Sequence, residues 1–317
     1  MTKKILIVRS SSLGDIVHLL PAISDIQKHV KDFTMDWVVE EAFSEIPLWH
    51  PAVNDIIEIA HRRWRKDWFG SRSRSERKKF INKLQSTKYD FILDMQSLLK
   101  SAWVVWLAKG TKHGLNWKSA KESPASLFYN IKHNIEYWQT AVTRQRILAS
   151  KVFGYEFEGE PDFGLQAFTN NVQVQNFAAI MPSASTDEKL WDESAWHAVF
   201  NRLNEYGIPI RVFSGSVRET ERARELVKDL PDAEVLPRMN LTDVANTLAS
   251  SKVMVGLDSG LTHLSAALGR PTIGIYTCTS PIRTPVVGSG YTASLGDVGV
   301  PPSQAMVLSK LDEALGK

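Results

Sequence analysis

The sequence predicts an α/β protein made of two successive units, each a parallel sheet covered by helices. Three observations predict it: short apolar, β-branched runs recur along the 317 residues, amphipathic helical patterns alternate with them, and the alternation restarts near mid-chain. The length suits two domains. A composition of 43% hydrophobic and 23% charged residues is that of a globular chain and excludes disordered, collagen-like and disulfide-stapled classes.

In the first half, residues 4–8 read as a strand ending at a Ser-Ser-Ser-Leu-Gly turn. Ile16, Leu19, Leu20, Ile23, Ile26 and Val30 then recur at helical spacing and predict one helix over 15–30. Strands are expected at 35–39 and 56–59, then a basic segment, a strand at 91–94 and a helix over 98–108. The second half predicts a strand at 177–181, a loop running to Lys189, and an amphipathic helix over 192–206 closed by Gly207. Strands at 210–213, 234–236, 253–256 and 271–276 then alternate with helices at 218–229, 242–250 and 260–268. The boundary falls within 155–172, where Glu, Gly, Pro and Asn collect, giving domains 1–165 and 166–317 facing a cleft.

The longest apolar run, 102–108, is seven residues, against roughly 20 for a membrane-spanning helix. The N-terminal apolar stretch, 5–8, is shorter than the about 7–15 residues of a signal-peptide core, so a cytosolic location is expected. Cys278 is the single cysteine, which rules out an internal disulfide and a cysteine-based zinc site.

Charge is divided unevenly. Residues 1–160 hold 25 Lys and Arg against 18 Asp and Glu, whereas 161–317 hold 13 against 17. The excess is concentrated in 61–83, with ten basic and two acidic residues. Arg62, Arg63, Arg65 and Lys66 are interleaved there with Trp64 and Trp68. An anionic partner is implied, and nucleic acid, an anionic membrane surface and a solvated helix face all fit the pattern.

Ligands of open parallel sheets bind beyond the carboxyl ends of the strands, so the loops there are the places to seek chemistry. The first, 9–15, places small residues and Asp15 at a helix start. Asp15 is chemically able to act as a general base, and equally able to close a capping box with Ser12. In 256–263, Ser259 and Gly260 open a helix whose free N–H groups suit a pyrophosphate, while Asp258 or Ser259 would also serve as a plain cap. Lys189 follows a strand and is either a phosphate ligand or a solvated cation. Glu219, after another strand, is either a ribose ligand or a first-turn acid.

Several blocks together resemble one family: Ser-Ser-Leu-Gly-Asp-Ile-Val-His at 11–18, Trp-Val-Val-Glu-Glu at 37–41, Arg-Arg-Trp-Arg-Lys at 62–66, Lys-His-Gly at 112–114, Ser-Leu-Phe-Tyr-Asn at 126–130 and Asp-Ser-Gly-Leu-Thr-His at 258–263. They are similar to the heptosyltransferase I family of GT-B glycosyltransferases, and the resemblance runs in order from residue 4 to about 285. It implies two Rossmann-like domains, the N-terminal one binding the acceptor and the C-terminal one the nucleotide sugar, with the last helix free to pack back on the N-terminal domain. It further implies inverting, metal-independent transfer of heptose from ADP-heptose to a Kdo residue of Kdo2-lipid A.

By the same resemblance, Asp15 is the base and Lys189 assists at the ribose and phosphates. Ser185, Glu219, Met239, Asp258, Ser259, Gly260 and His263 bind the donor. Ser11, Ser12, Gly14, Arg62, Arg63, Arg65, Lys66 and Lys121 meet the acceptor. No cofactor, metal or nucleic acid is implied. A monomer on the cytoplasmic face of the inner membrane is. The sequence departs from the family at Ala184 and Ser185, where a Thr-Thr pair is familiar, at Ser259 in place of threonine, and at Thr277-Cys278-Thr279 in place of Gly-Pro-Thr. The alternatives are a same-fold transferase with another acceptor or nucleotide sugar, and a non-catalytic module for anionic ligands.

Overall fold

The computed structural model describes residues 2–184 and 186–317, which divide into two compact units, Met1–Gly164 and Leu165–Lys317. Ser185, expected on the donor side, lies outside the described residues.

The N-terminal unit holds a six-stranded sheet: β1 (Lys3–Val8), β2 (Phe33–Glu40), β3 (Asp55–Ile59), β4 (Lys88–Asp94), β5 (Lys109–Leu115) and β6 (Ile131–His133). Its order is β3-β2-β1-β4-β5-β6, and every pairing is parallel. The C-terminal unit repeats the plan with β7 (Ala178–Met181), β8 (Ile210–Val212), β9 (Ala233–Val235), β10 (Val253–Leu257), β11 (Thr272–Tyr276) and β12 (Thr292–Gly296). Its order is β12-β11-β10-β7-β8-β9, again all parallel. Counted from each unit's own first strand, both sheets read 3-2-1-4-5-6, the doubly wound Rossmann order. Each sheet therefore reverses direction beside its first strand, β1 or β7, and opens a crevice there. The central strands are apolar because helices cover both faces: Ile5, Leu6, Ile7 and Val8 are buried in the first sheet, and Val253, Met254, Val255 and Leu257 in the second.

Three expectations need correction. The helix over 15–30 is two helices, Leu13–Val17 and Leu20–His29, because Pro21 lacks the N–H that a continuous helix would need at that point. Strands β5 and β6 were not expected, since Lys109, Gly110, Lys112 and Gly114 make β5 look like a polar loop. The sheet continues past 271–276 into β12, which a Thr-Ala-Ser-Leu-Gly sequence conceals. The last helix, Gln304–Ala314, joins the C-terminal core through Val307 and Leu311, and Tyr206 donates to Asp312 at 2.9 Å. No helix among the described residues is long and apolar enough to cross a membrane.

Candidate active site

The loop leaving β1 is held from behind. Arg9 donates one guanidinium nitrogen to the Met95 carbonyl and sets the other 2.7 Å from Asp15 Oδ1. The buried Trp37 indole fixes the backbone there, donating to the Arg9 carbonyl at 3.0 Å. Asp15 Oδ2 accepts from the Ser12 N–H at 2.9 Å and from the Ser12 hydroxyl at 3.0 Å. Asp15 is thus the returning half of a capping box and an available carboxylate at once, with its side chain 40% exposed. Partial burial pushes its carboxyl up, but Arg9, the Ser12 hydrogen bonds and His18 together outweigh this and hold it below the usual carboxylate range. Ser11 is buried, Ser12 exposed and Gly14 half-buried on the same turn.

Two groups that the sequence reading overlooked join this loop. Lys100, from the first turn of helix Leu99–Leu107, donates to Ser11 Oγ at 2.8 Å. Glu40, buried at the end of β2, accepts the Arg62 N–H at 2.9 Å. Burial pushes the Glu40 carboxyl up, with Arg62 and Lys100 opposing it. The signal was positional: both lie at the carboxyl ends of strands, after β4 and at the end of β2, in segments not read as candidate loops.

The four basic residues expected to act together divide. Arg62, Arg65 and Lys66 are exposed around the short helix His61–Trp64, and Lys121 is exposed before the turn Ser123–Phe128. Arg63 differs. Its guanidinium is clamped by Glu41 at 2.9 Å and Glu76 at 2.6 Å, so its charge is already paired within the unit. A cleft of about 530 Å³ opens beside it, lined by Trp64, Phe80, Glu76 and Lys83. Several of its charges pair with one another, Lys83 lying 2.8 Å from Asp55 and Arg63 holding Glu41 and Glu76.

In the C-terminal unit the expected donor residues sit on loops at the carboxyl ends of β7 to β10. Gly256 lets the helix Gly260–Ala267 approach β10: a Cβ there would meet Thr262 Oγ1 at 2.5 Å. Thr262 in turn donates to the Leu257 carbonyl at 2.6 Å, and Ser259 caps the helix by accepting the Thr262 N–H at 3.4 Å. Asp258 is engaged on both oxygens. Lys189 Nζ and Thr279 Oγ1 each lie 2.7 Å from Oδ2, and His263 Nε2 lies 3.2 Å from Oδ1. Burial pushes this carboxyl up, yet the bonds from His263, Lys189 and Thr279 prevail and hold it well below its ordinary range.

His263 is buried behind Asp258 and orients it. Thr279, the one residue of 277–279 that matches the family's Gly-Pro-Thr, anchors Asp258 through its hydroxyl. Glu219 accepts the Gly215 N–H at 2.7 Å, so one oxygen closes its own loop. Met239 is half-buried just before the helix Leu241–Ser250.

Two Rossmann sheets with ionic groups at the carboxyl ends of their strands match known proteins over nearly the whole chain. The sequence model of glycosyltransferase family 9 (heptosyltransferase) matches residues 77–311. Lipopolysaccharide heptosyltransferase 1 of Escherichia coli K12 is 44% identical over 283 residues, covering 88% of this chain and 89% of the relative. The chain belongs to glycosyltransferase family 9, the heptosyltransferases. Two solved structures agree. "E. coli heptosyltransferase WaaC with ADP" superposes with a TM-score of 0.91 at 40% identity, over 98% of this chain and 99% of that one. "E. coli heptosyltransferase WaaC with ADP-2-deoxy-2-fluoro heptose" gives 0.88 at 39%, over 99% of each. The fold is accordingly GT-B, and the family member described here is a glycosyltransferase of the heptosyltransferase I type.

Proposed function

We propose that this chain moves L-glycero-D-manno-heptose from ADP-heptose to a Kdo hydroxyl of Kdo2-lipid A, with inversion and without a metal or cofactor. The observation that carries the reading is Asp15, an ionised, partly exposed carboxylate fixed by Arg9 and Ser12 at the crevice of the first sheet. The acceptor hydroxyl gives its proton to Asp15, the oxygen attacks heptose C1, and the bond from C1 to the β-phosphate oxygen breaks, releasing ADP. A carboxylate of low pKa is a weak base, so proton transfer follows oxygen–carbon bond formation late in the step.

The C-terminal unit holds the donor. Lys189 and the amides opening the helix at Ser259 and Gly260 offset the charge growing on the diphosphate, and fixed dipoles do so without reorganising. Asp258 holds Lys189 and contacts the sugar, His263 and Thr279 hold Asp258, Glu219 takes the ribose, and the Met239 backbone meets adenine. Ser185 supplies a hydroxyl to the phosphates. On the N-terminal unit, Ser11, Ser12, Gly14, Arg62, Arg65, Lys66 and Lys121 meet the acceptor's carboxylates and phosphates. Since that acceptor is a membrane lipid, the enzyme works as a monomer at the cytoplasmic face of the inner membrane, the basic residues turned to its anionic surface.

The experiment is incubation of ADP-heptose with a truncated Kdo-bearing acceptor, scoring ADP release and product mass for the parent and Asp15→Asn. A loss of about 10²- to 10⁴-fold in turnover with ADP affinity unchanged is expected for removal of a general base. A variant that retains full turnover refutes the assignment of Asp15.

A further inference from the structure

We propose that Lys100 is an acceptor-positioning cation: its ammonium receives the carboxylate of the acceptor sugar and so sets that sugar's attacking hydroxyl against Asp15. The inference rests on the acceptor assignment above and names one group of it.

Local folding gives no reason for a lysine at this position. The helix Leu99–Leu107 reads Leu-Lys-Ser-Ala-Trp-Val-Val-Trp-Leu, apolar apart from Lys100 and Ser101. A cation in its first turn opposes the helix dipole. Burial disfavours the charged ammonium further, and Arg62 and Arg9 repel it, while Glu40 and Asp15 compensate only in part. Three cations therefore converge on one spot of the N-terminal unit. Among the described residues no carboxylate stands at ion-pair distance from Lys100 Nζ, whose recorded bond goes to Ser11 Oγ at 2.8 Å. An ammonium has three donors, and this hydroxyl takes one. An arriving anion would relieve the repulsion and fill the remaining valences.

The lysine is also held in place, as a recognition group must be. The buried Asp94 carboxylate ties down the turn before it, accepting from the N–H of Gln96 at 2.9 Å and of Ser97 at 2.8 Å, from Ser101 Oγ at 2.9 Å and from Tyr129 OH at 2.7 Å. Gln96 Nε2 binds the Ser11 carbonyl at 3.1 Å, joining that turn to the loop carrying Asp15. Ser97 adopts a left-handed backbone at φ 56°, a conformation that non-glycine residues keep where surrounding structure imposes it.

The geometry selects a carboxylate over a phosphate. A base works within about 2.6–3.2 Å of the hydroxyl it deprotonates. Lys100 and Asp15 belong to the same loop cluster, so an anion meeting Lys100 sits on the sugar ring that bears that hydroxyl. On a sugar acid this anion is the carboxylate. Phosphates lie at the lipid end of the acceptor and suit the exposed Arg62, Arg65 and Lys66.

The test compares the parent with Lys100→Met, Lys100→Gln and Lys100→Arg at saturating ADP-heptose, on three acceptors: the free acid, its carboxamide, and a dephosphorylated free acid. Removal of the charge should raise KM for the free acid about 10- to 100-fold. The carboxamide should be scarcely affected, the dephosphorylated acid should show the full penalty, and arginine should recover most of the loss. Affinity for ADP should stay unchanged in all variants. An equal penalty on acid and carboxamide, or one that vanishes when the phosphates are removed, overturns the proposal. A parent enzyme that uses none of the acceptors overturns the acceptor assignment and this inference with it, a result distinct from either of those.

Discussion

Lys189 and Asp258, 69 residues apart, are joined twice: Lys189 Nζ binds Asp258 Oδ2 at 2.7 Å and the Asp258 carbonyl at 3.2 Å. The loop after β7 is thereby latched to the loop after β10, and the latch is the cation proposed to meet the diphosphate. Lys189→Ala should weaken ADP binding about 10- to 100-fold, since a bond between a charged donor and a phosphate is removed. It should also lower Tm, because Asp258 is left partly buried with less compensation. Adding Asp258→Asn should restore Tm while ADP affinity stays poor. Calorimetric titration with ADP and a thermal melt separate the two, and recovered affinity in the double variant would assign Lys189 a purely structural part.

Arg9 and Asp15 predict a pH dependence. Asp15 is held below the ordinary carboxylate value, so the acid limb of kcat/KM should fall below pH ~4. Removing the neighbouring positive charge takes away a force that lowers the pKa, so Arg9→Met must move that limb to higher pH. The position of the limb is the readout, which a general loss of folded enzyme would leave alone. An unmoved limb would show that Arg9 does not set the charge of Asp15.

Four cations that look alike in sequence should behave differently. Replacing Arg62, Arg65 and Lys66 with glutamine should raise the acceptor KM and flatten its dependence on ionic strength, because exposed charges attract over a screened distance. Arg63→Gln should instead lower Tm and leave the salt dependence intact, since its guanidinium already holds Glu41 and Glu76. Acceptor kinetics across 20–500 mM salt would show it as about a doubling or less of KM for Arg63→Gln. A flattened salt response in that variant would return it to the acceptor surface.

These contrasts mark what could be read from residues alone. The central strands were legible because burial on both faces leaves continuous apolar runs, as in Ile5 to Val8 and Val253 to Leu257. Strands β5, β6 and β12 were not: β6 and β12 are edges, which need fewer apolar side chains, and β5, next to an edge, carries Lys109, Gly110, Lys112 and Gly114. Loops at strand ends located Asp15, Asp258 and Lys189, since the doubly wound plan dictates where ligands bind. Their partners escaped notice. Thr279 and Lys100 reach Asp258 and Ser11 from 21 and 89 residues away, and no local pattern encodes such a meeting. The division between Arg63 and its neighbours likewise depends on Glu76, one turn into another helix.

His50 should make the N-terminal unit acid-sensitive. Its ring is 1% exposed, with Nδ1 accepting the Ala52 N–H at 3.2 Å and Nε2 facing Ser24 Oγ at 2.9 Å. The neutral form with its proton on Nε2 satisfies both contacts, and protonating Nδ1 would break the first. Burial accordingly lowers the pKa to about 4, with Asp162 opposing weakly. A folded value below the unfolded one means that the unfolded chain binds the proton first. Stability is then full above pH ~6.5 and declines as pH falls toward 4, by about 2 kcal/mol at pH 5. Urea midpoints at pH 8 and pH 5 should therefore differ in the parent, and His50→Gln should shrink the difference, although His113, also lowered to about 4 by burial, keeps a share. If His50→Gln loses as much stability between the two pH values as the parent, the proton uptake lies elsewhere.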